Sequence, residues 1–176
     1  MICANQEWRQ GLATFFQRFS SGEFDSLHLL GAGNPLRHDD GVGVFIVETL
    51  AKKFVSRSLN NITIYPPTGT PEMVLSRLKL KGNEVLIFDS LENNARPGSI
   101  SLKKIGSSRF GYFATHNVPF KVYAELSDTM KGVLFLGIEP QNLEIGEGLS
   151  ESVQRSAKEI IELVSGFIEK RAQTGA

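Results

Sequence analysis

The chain has 176 residues, 41% of them hydrophobic and 22% charged, with 19 Lys+Arg against 19 Asp+Glu. That length and mix suit one globular domain able to bury a core without staples, and a formal net charge of zero argues against a dominant attraction to nucleic acid or an anionic membrane. The lone cysteine, Cys3, excludes an internal disulfide and a cysteine-rich zinc site, which favours a reducing compartment.

Residues 5–19 predict a short amphipathic helix, because Trp8, Leu12, Phe15, Phe16 and Phe19 fall near helical spacing. Such a face either docks on the domain or presents aromatic rings to a partner. The segment lacks the basic start and the uninterrupted apolar stretch of a signal peptide, and no run reaches the length of a transmembrane helix. A cytoplasmic protein is expected, with no membrane insertion. SSGEFDS then reads as a linker. On this reading residues 1–26 form an N-terminal extension and residues 27–176 the main domain.

From Leu27 the pattern alternates. LHLLGAG reads as a buried strand entering a glycine turn, and GVGVFIVETLAKKF as a helix with Val44, Val47, Leu50, Ala51 and Phe54 on one side. NITIY reads as a second strand. A helix beginning at Thr70 and Pro71 is expected, with Thr70 as its cap. NEVLIFD is the clearest strand, β-branched and apolar, with Asp89 at its carboxyl end. ISLKKI reads as a further strand, HNVPFKVYAELSDTM as a helix with Pro119 in its first turn, and GVLFLGI as another buried strand. After a polar, glycine-containing loop, Ser150 is placed to cap a final helix with Val153, Ala157, Ile160, Ile161, Val164 and Ile168 inward. This alternation implies an α/β fold: a single domain with a twisted, mainly parallel sheet and helices on both faces. In such folds ligands bind beyond the carboxyl ends of the strands. The loop after LHLL, Asp89 and the loop after VLFLGI should gather there.

The segment GAGNPLRHDDGVG is the most informative. A dinucleotide site would want GxGxxG, but Leu36 stands at the third glycine position, and no Walker-type Gly-Lys-Ser/Thr exists. Gly31 and Gly33 leave a nucleotide-binding domain as a minor alternative. Asp39 and Asp40 precede a helix, where backbone N–H groups and the helix dipole favour carboxylates. One of them is explained by capping, and the other is left to act as a ligand or base. Of the three histidines, His28 lies within a strand and reads as structural, and His38 as a solvated loop residue. His116 sits at a predicted loop-to-helix entry. With Asp40 it would make an oxygen–nitrogen site of the kind that accepts nickel or zinc. Asp89 is either catalytic or a partner for loop amides.

GAGNPLRHDDGVG resembles the N-terminal signature of the hydrogenase maturation proteases, the endopeptidases that process the large subunit of nickel–iron hydrogenases. VLIFDS, RPGSI, THNVPF and GIEPQNLEIGEGLSESV resemble later segments of that family in the same order, so the resemblance spans roughly residues 27–170. It implies a protein that binds the nickel already placed in the large-subunit precursor and removes the precursor's C-terminal peptide. It implies no tightly held cofactor of the protein's own. The family's metal-contacting acid falls on Asp40 and its metal-contacting histidine on His116, the two expected catalytic and metal residues. Asp39 and Asp89 stand as further catalytic candidates. The third family ligand, an aspartate, falls on Pro66 in IYPPTGTPE, which offers no donor atom. Glu72 is a candidate replacement, or a first-turn helix residue favoured by the dipole. The departure at Pro66 keeps a second function class open, a non-catalytic member that binds the nickel-loaded precursor or another partner.

Overall fold

The computed structural model describes residues 4–56, 59–65, 83–104 and 133–174. The helix expected at residues 70–78, the helix around Pro119, and the candidate residues Pro66, Glu72 and His116 lie outside the described residues.

Helix α1 spans Ala4–Ser20. Its aromatic face is packed rather than open: Trp8, Leu12, Phe15, Phe16 and Phe19 are all buried and share one core with the sheet. Each such side chain contributes roughly 1.5–3 kcal/mol by leaving water. The segment expected as a linker is also part of this packing. Phe24 is buried and stacks 5.0 Å from Phe19 and 5.4 Å from Phe15, ring centre to ring centre. A polar-looking run therefore carries one anchoring ring that fixes the approach to the first strand.

Five strands follow: β1 Ser26–Gly31, β2 Ile62–Ile64, β3 Asn83–Ser90, β4 Ile100–Lys104 and β5 Val133–Ile138. They form one sheet in the order β2-β1-β3-β5-β4. The first four in that order run parallel, and β4 closes the edge antiparallel to β5. Helix α2 spans Val42–Phe54 and helix α3 spans Glu151–Thr174.

Residues alternate across the sheet as strand geometry requires. Leu27, Leu29, Ile62, Leu86, Phe88, Leu136, Ile138 and Ile100 turn to one face, where they join residues of α1, α2 and α3. Leu30, Val85, Ile87, Val133 and Phe135 turn to the opposite face and are equally buried. Central parallel strands are ordinarily buried on both sides, which accounts for the nearly continuous apolar runs in β3 and β5. The chain leaves β1 toward β2 on one side and later places β3 on the other. The crevice between the carboxyl ends of β1 and β3 is therefore a topological switch point, the usual ligand position in open α/β sheets.

His28 is structural, as its strand setting suggests. Ser26 donates its hydroxyl to the Asn83 side-chain oxygen, so Ser26 Oγ accepts from His28 Nε2 at 3.0 Å. Nδ1 is then the acceptor for the Tyr65 hydroxyl, 3.0 Å away. Burial pushes the imidazole below its ordinary value of 6.5, with the Asn83 contact opposing the shift in part. Between the lowered value and 6.5 the unfolded chain binds more protons than the folded one, so acid destabilises the fold in that window. Urea denaturation at a series of pH values should show stability falling as pH drops below about 6.5, with a shallower fall in His28→Gln. Equal slopes in the two proteins would contradict this assignment.

Candidate functional site

Beyond Gly31 the chain crosses a short loop, enters a 3-10 turn at His38–Gly41 and continues directly into α2. The glycines here serve close backbone packing. A Cβ on Gly43 would stand 2.1 Å from the Phe88 carbonyl oxygen and 2.4 Å from that of Ala32, so only glycine lets the first turn of α2 rest on the ends of β1 and β3. Gly33 has a φ of +106°, and a Cβ there would lie 1.7 Å from the carbonyl oxygen of Asp40. Gly31, the other glycine of the spacing that superficially suggests a phosphate loop, also seats the helix, since a Cβ there would stand 2.3 Å from the Gly43 carbonyl oxygen.

Asp40 occupies the switch-point crevice and is 3% exposed. Its Oδ2 accepts the backbone N–H of Asn34 at 3.0 Å, and its Oδ1 accepts the Ser90 hydroxyl at 3.2 Å. Ser90 in turn donates its backbone N–H to Asp89 Oδ1 at 2.8 Å. Asp40, Ser90 and Asp89 therefore form one buried polar cluster joining the ends of β1 and β3. A carboxylate held this way keeps a defined orientation, which suits it to accept a proton or to ligate a cation presented to it.

Asp39 has a different position. It is fully buried, and its carboxylate receives four hydrogen bonds from the segment after β5. Oδ2 accepts the N–H groups of Gln141 and Asn142, each at 2.8 Å, and the Ser150 hydroxyl at 2.7 Å. Oδ1 accepts the Ser150 N–H at 2.6 Å. Asp39 is thus the clamp that holds the 139–150 loop against the 3-10 turn. Neither aspartate is a helix cap, contrary to the sequence-based expectation. The cap positions of the turn and of α2 fall on Arg37 and Gly41, with no side-chain cap bond at either. Tertiary donors outcompete the local amides because they arrive in convergent geometry. Ser150 does precede α3, and its hydroxyl donates to Asp39.

His38 also departs from expectation. It is half-buried, with a φ of +45°, and its Nδ1–H donates to the Gly148 carbonyl at 3.1 Å while its backbone N–H donates to Gly146 at 2.9 Å. It stitches two loops together and is not a solvated loop residue. Two residues not singled out from sequence belong to the same rim. Ser90 bridges the two crevice carboxylates, and its signal was only its place beside Asp89 at a strand end. Glu139 is buried just beyond β5, where Oε2 accepts the Asn93 N–H at 2.7 Å. A glutamate directly after an apolar strand was the available sign. Among the described residues, no three His, Cys, Asp or Glu side chains gather in a metal-binding group.

No protein-family model matches the chain. Among curated relatives, a Methanocaldococcus jannaschii protein provisionally assigned as a hydrogenase maturation protease is 24% identical over 151 residues, covering 82% of this chain and 89% of the relative. The hydrogenase expression/formation protein HupD of Thiocapsa roseopersicina is 27% identical over 151 residues, covering 80% of this chain and 66% of the relative. Among solved structures, the [NiFe] hydrogenase maturation protease HycI from Thermococcus kodakarensis shares the fold, with a TM-score of 0.71 at 21% identity, covering 89% of this chain and 99% of that one. In its ordered motifs and across most of its length the chain is similar to relatives named as hydrogenase maturation proteins and proteases, and it shares the fold of a [NiFe] hydrogenase maturation protease.

Proposed function

We propose that this chain is a cytoplasmic endopeptidase that recognises nickel in the precursor of a hydrogenase large subunit and removes the precursor's C-terminal peptide. The observation that carries the reading is Asp40: the acid on which the family's metal contact falls is a buried, oriented carboxylate at the switch point of the sheet. On this reading Asp40 and His116 contact the nickel, and Glu72 supplies the carboxylate that Pro66 does not. Carboxylate and imidazole are ordinary donors to nickel. A set of only two or three protein ligands suits reading a metal held chiefly by the precursor's own thiolates, not storing one. Nickel is then part of the substrate, and contact with it positions the scissile peptide, a placement able to supply much of the acceleration.

The test is to incubate the purified protein with nickel-loaded and nickel-free precursor and follow release of the C-terminal peptide by mass spectrometry. Release from the loaded form alone is expected. Equal cutting of both forms would defeat the recognition step. Nickel-dependent binding without any release would leave the chain a binding member of its family.

Two neighbouring substitutions separate the chemistry from the architecture. Asp40→Asn keeps the side-chain shape and should reduce processing about a hundredfold, the scale seen when a metal-site group is altered, while leaving the denaturation midpoint nearly unchanged. Asp39→Ala strips four donors of their shared acceptor and should lower stability by about 3 kcal/mol or more in urea denaturation. Full processing by Asp40→Asn would remove that residue from the site, and an unchanged midpoint for Asp39→Ala would refute its clamping role.

A further inference from the structure

The loop carrying Leu36 and the loop carrying Ile145 lie side by side at the rim of the crevice, and both are held rigidly. The Gly146 N–H donates to the Leu36 carbonyl at 2.9 Å, and the His38 N–H donates to the Gly146 carbonyl at 2.9 Å. Together these bonds make a short parallel bridge between Arg37 and Gly146. The Arg37 guanidinium donates to the Leu143 carbonyl at 2.9 Å and the Asp39 N–H donates to the Asn142 carbonyl at 3.1 Å. The four bonds to the Asp39 carboxylate tighten the same seam. The Asp40 N–H donates to the Arg37 carbonyl, and Asp40 Oδ2 receives Asn34 of the first loop, so the seam and the candidate carboxylate form one unit.

On this locked seam two large apolar side chains face solvent. Leu36 is 60% exposed and Ile145 is 91% exposed. Scattered exposed apolar residues are common on protein surfaces, but these two sit on adjacent, pre-ordered backbone beside the site. Glu144 and Glu147 flank Ile145, are themselves exposed, and form no ion pair among the described residues. Apolar contact flanked by exposed carboxylates that form no ion pair among the described residues is complementary to an apolar side chain flanked by basic ones. Pre-ordering of the loops removes part of the entropic cost of gripping such a segment, and binding residues are commonly carried on loops held by a rigid scaffold.

We propose that Leu36 and Ile145, with Glu144 and Glu147, form a docking ridge that grips the polypeptide substrate through an apolar side chain flanked by Lys or Arg. The proposal rests on the endopeptidase reading above and names how that same site selects its substrate. The ridge acts on binding and not on bond cleavage. Its side chains are largely exposed, so substitution there leaves the core intact.

The experiment compares steady-state processing of nickel-loaded precursor by the full-length protein, by Leu36→Ser/Ile145→Ser and by Glu144→Gln/Glu147→Gln. The first pair should raise KM about tenfold, in line with two lost apolar contacts, with kcat and Tm unchanged. The second should raise KM about threefold at low ionic strength, and the difference should vanish near 0.5 M salt, where exposed charges are screened. Unchanged KM in both pairs would overturn the ridge, as would a fall in kcat without a change in KM. If the wild-type protein cleaves nothing, the endopeptidase reading fails separately, and calorimetric titration with the precursor then decides: weaker binding by both pairs supports the ridge, and equal binding overturns it. Sedimentation showing a wild-type dimer that Ile145→Ser dissolves would also overturn it, by identifying a second copy as the occupant.

Discussion

One buried carboxylate organises the functional end of this molecule. Asp39 collects three backbone N–H groups and one hydroxyl from a segment more than a hundred residues further along the chain. Desolvating an ionised side chain is costly unless its acceptor positions are filled, and these donors fill them. The consequence reaches the next residue. Successive side chains in a 3-10 turn diverge by about 120°, so with Asp39 committed to the 139–150 loop, Asp40 is directed into the crevice between β1 and β3. Two adjacent aspartates of identical chemistry acquire separate duties through the geometry of one turn.

The second constraint is backbone contact. Gly43 brings the first turn of α2 against the carbonyl oxygens of Phe88 and Ala32, and Gly33 allows the preceding loop to fold over Asp40. The carboxylate thereby sits against the sheet ends, within reach of Ser90 on the neighbouring strand. Burial on both faces of β1, β3 and β5 supplies the rigidity behind it. The aromatic face of α1 and the ring of Phe24 extend the same core, so the opening residues of the chain are packed into the body of the fold.

Much of this was legible from the residues. Apolar runs of strand length in LHLL, VLIF and VLFL, separated by helical periodicities, pointed to a mainly parallel sheet, because strands buried on both faces need no alternation. The weaker, partly alternating ISLKKI proved to be the antiparallel edge, where Lys103 and Lys104 are tolerated. Asp40 stood out as an acid at the start of a helix and Asp89 as one at the end of a strand, and the two were found in one cluster. Less legible were partners distant in sequence. Ser90 and Glu139 carry no periodic signal, and the capping role expected near the aspartates gave way to donors from the far loop. Phe24 looked like linker because its anchoring depends on rings from α1.

The amino-acid order by itself determined the order of the described strands and helices, the α/β class, the acidic turn at the head of α2 and the resemblance to the hydrogenase maturation proteases. These follow from local propensities, from periodicity and from residue types at fixed spacing, all of which act over a few neighbouring positions. Only the tertiary structure decided which aspartate clamps and which faces the crevice, that His38 is a stitch between loops, and that the loops carrying Leu36 and Ile145 are bridged backbone to backbone. Those outcomes depend on hydrogen bonds closed between segments far apart along the chain, and such pairings leave no periodic trace in the residues on either side.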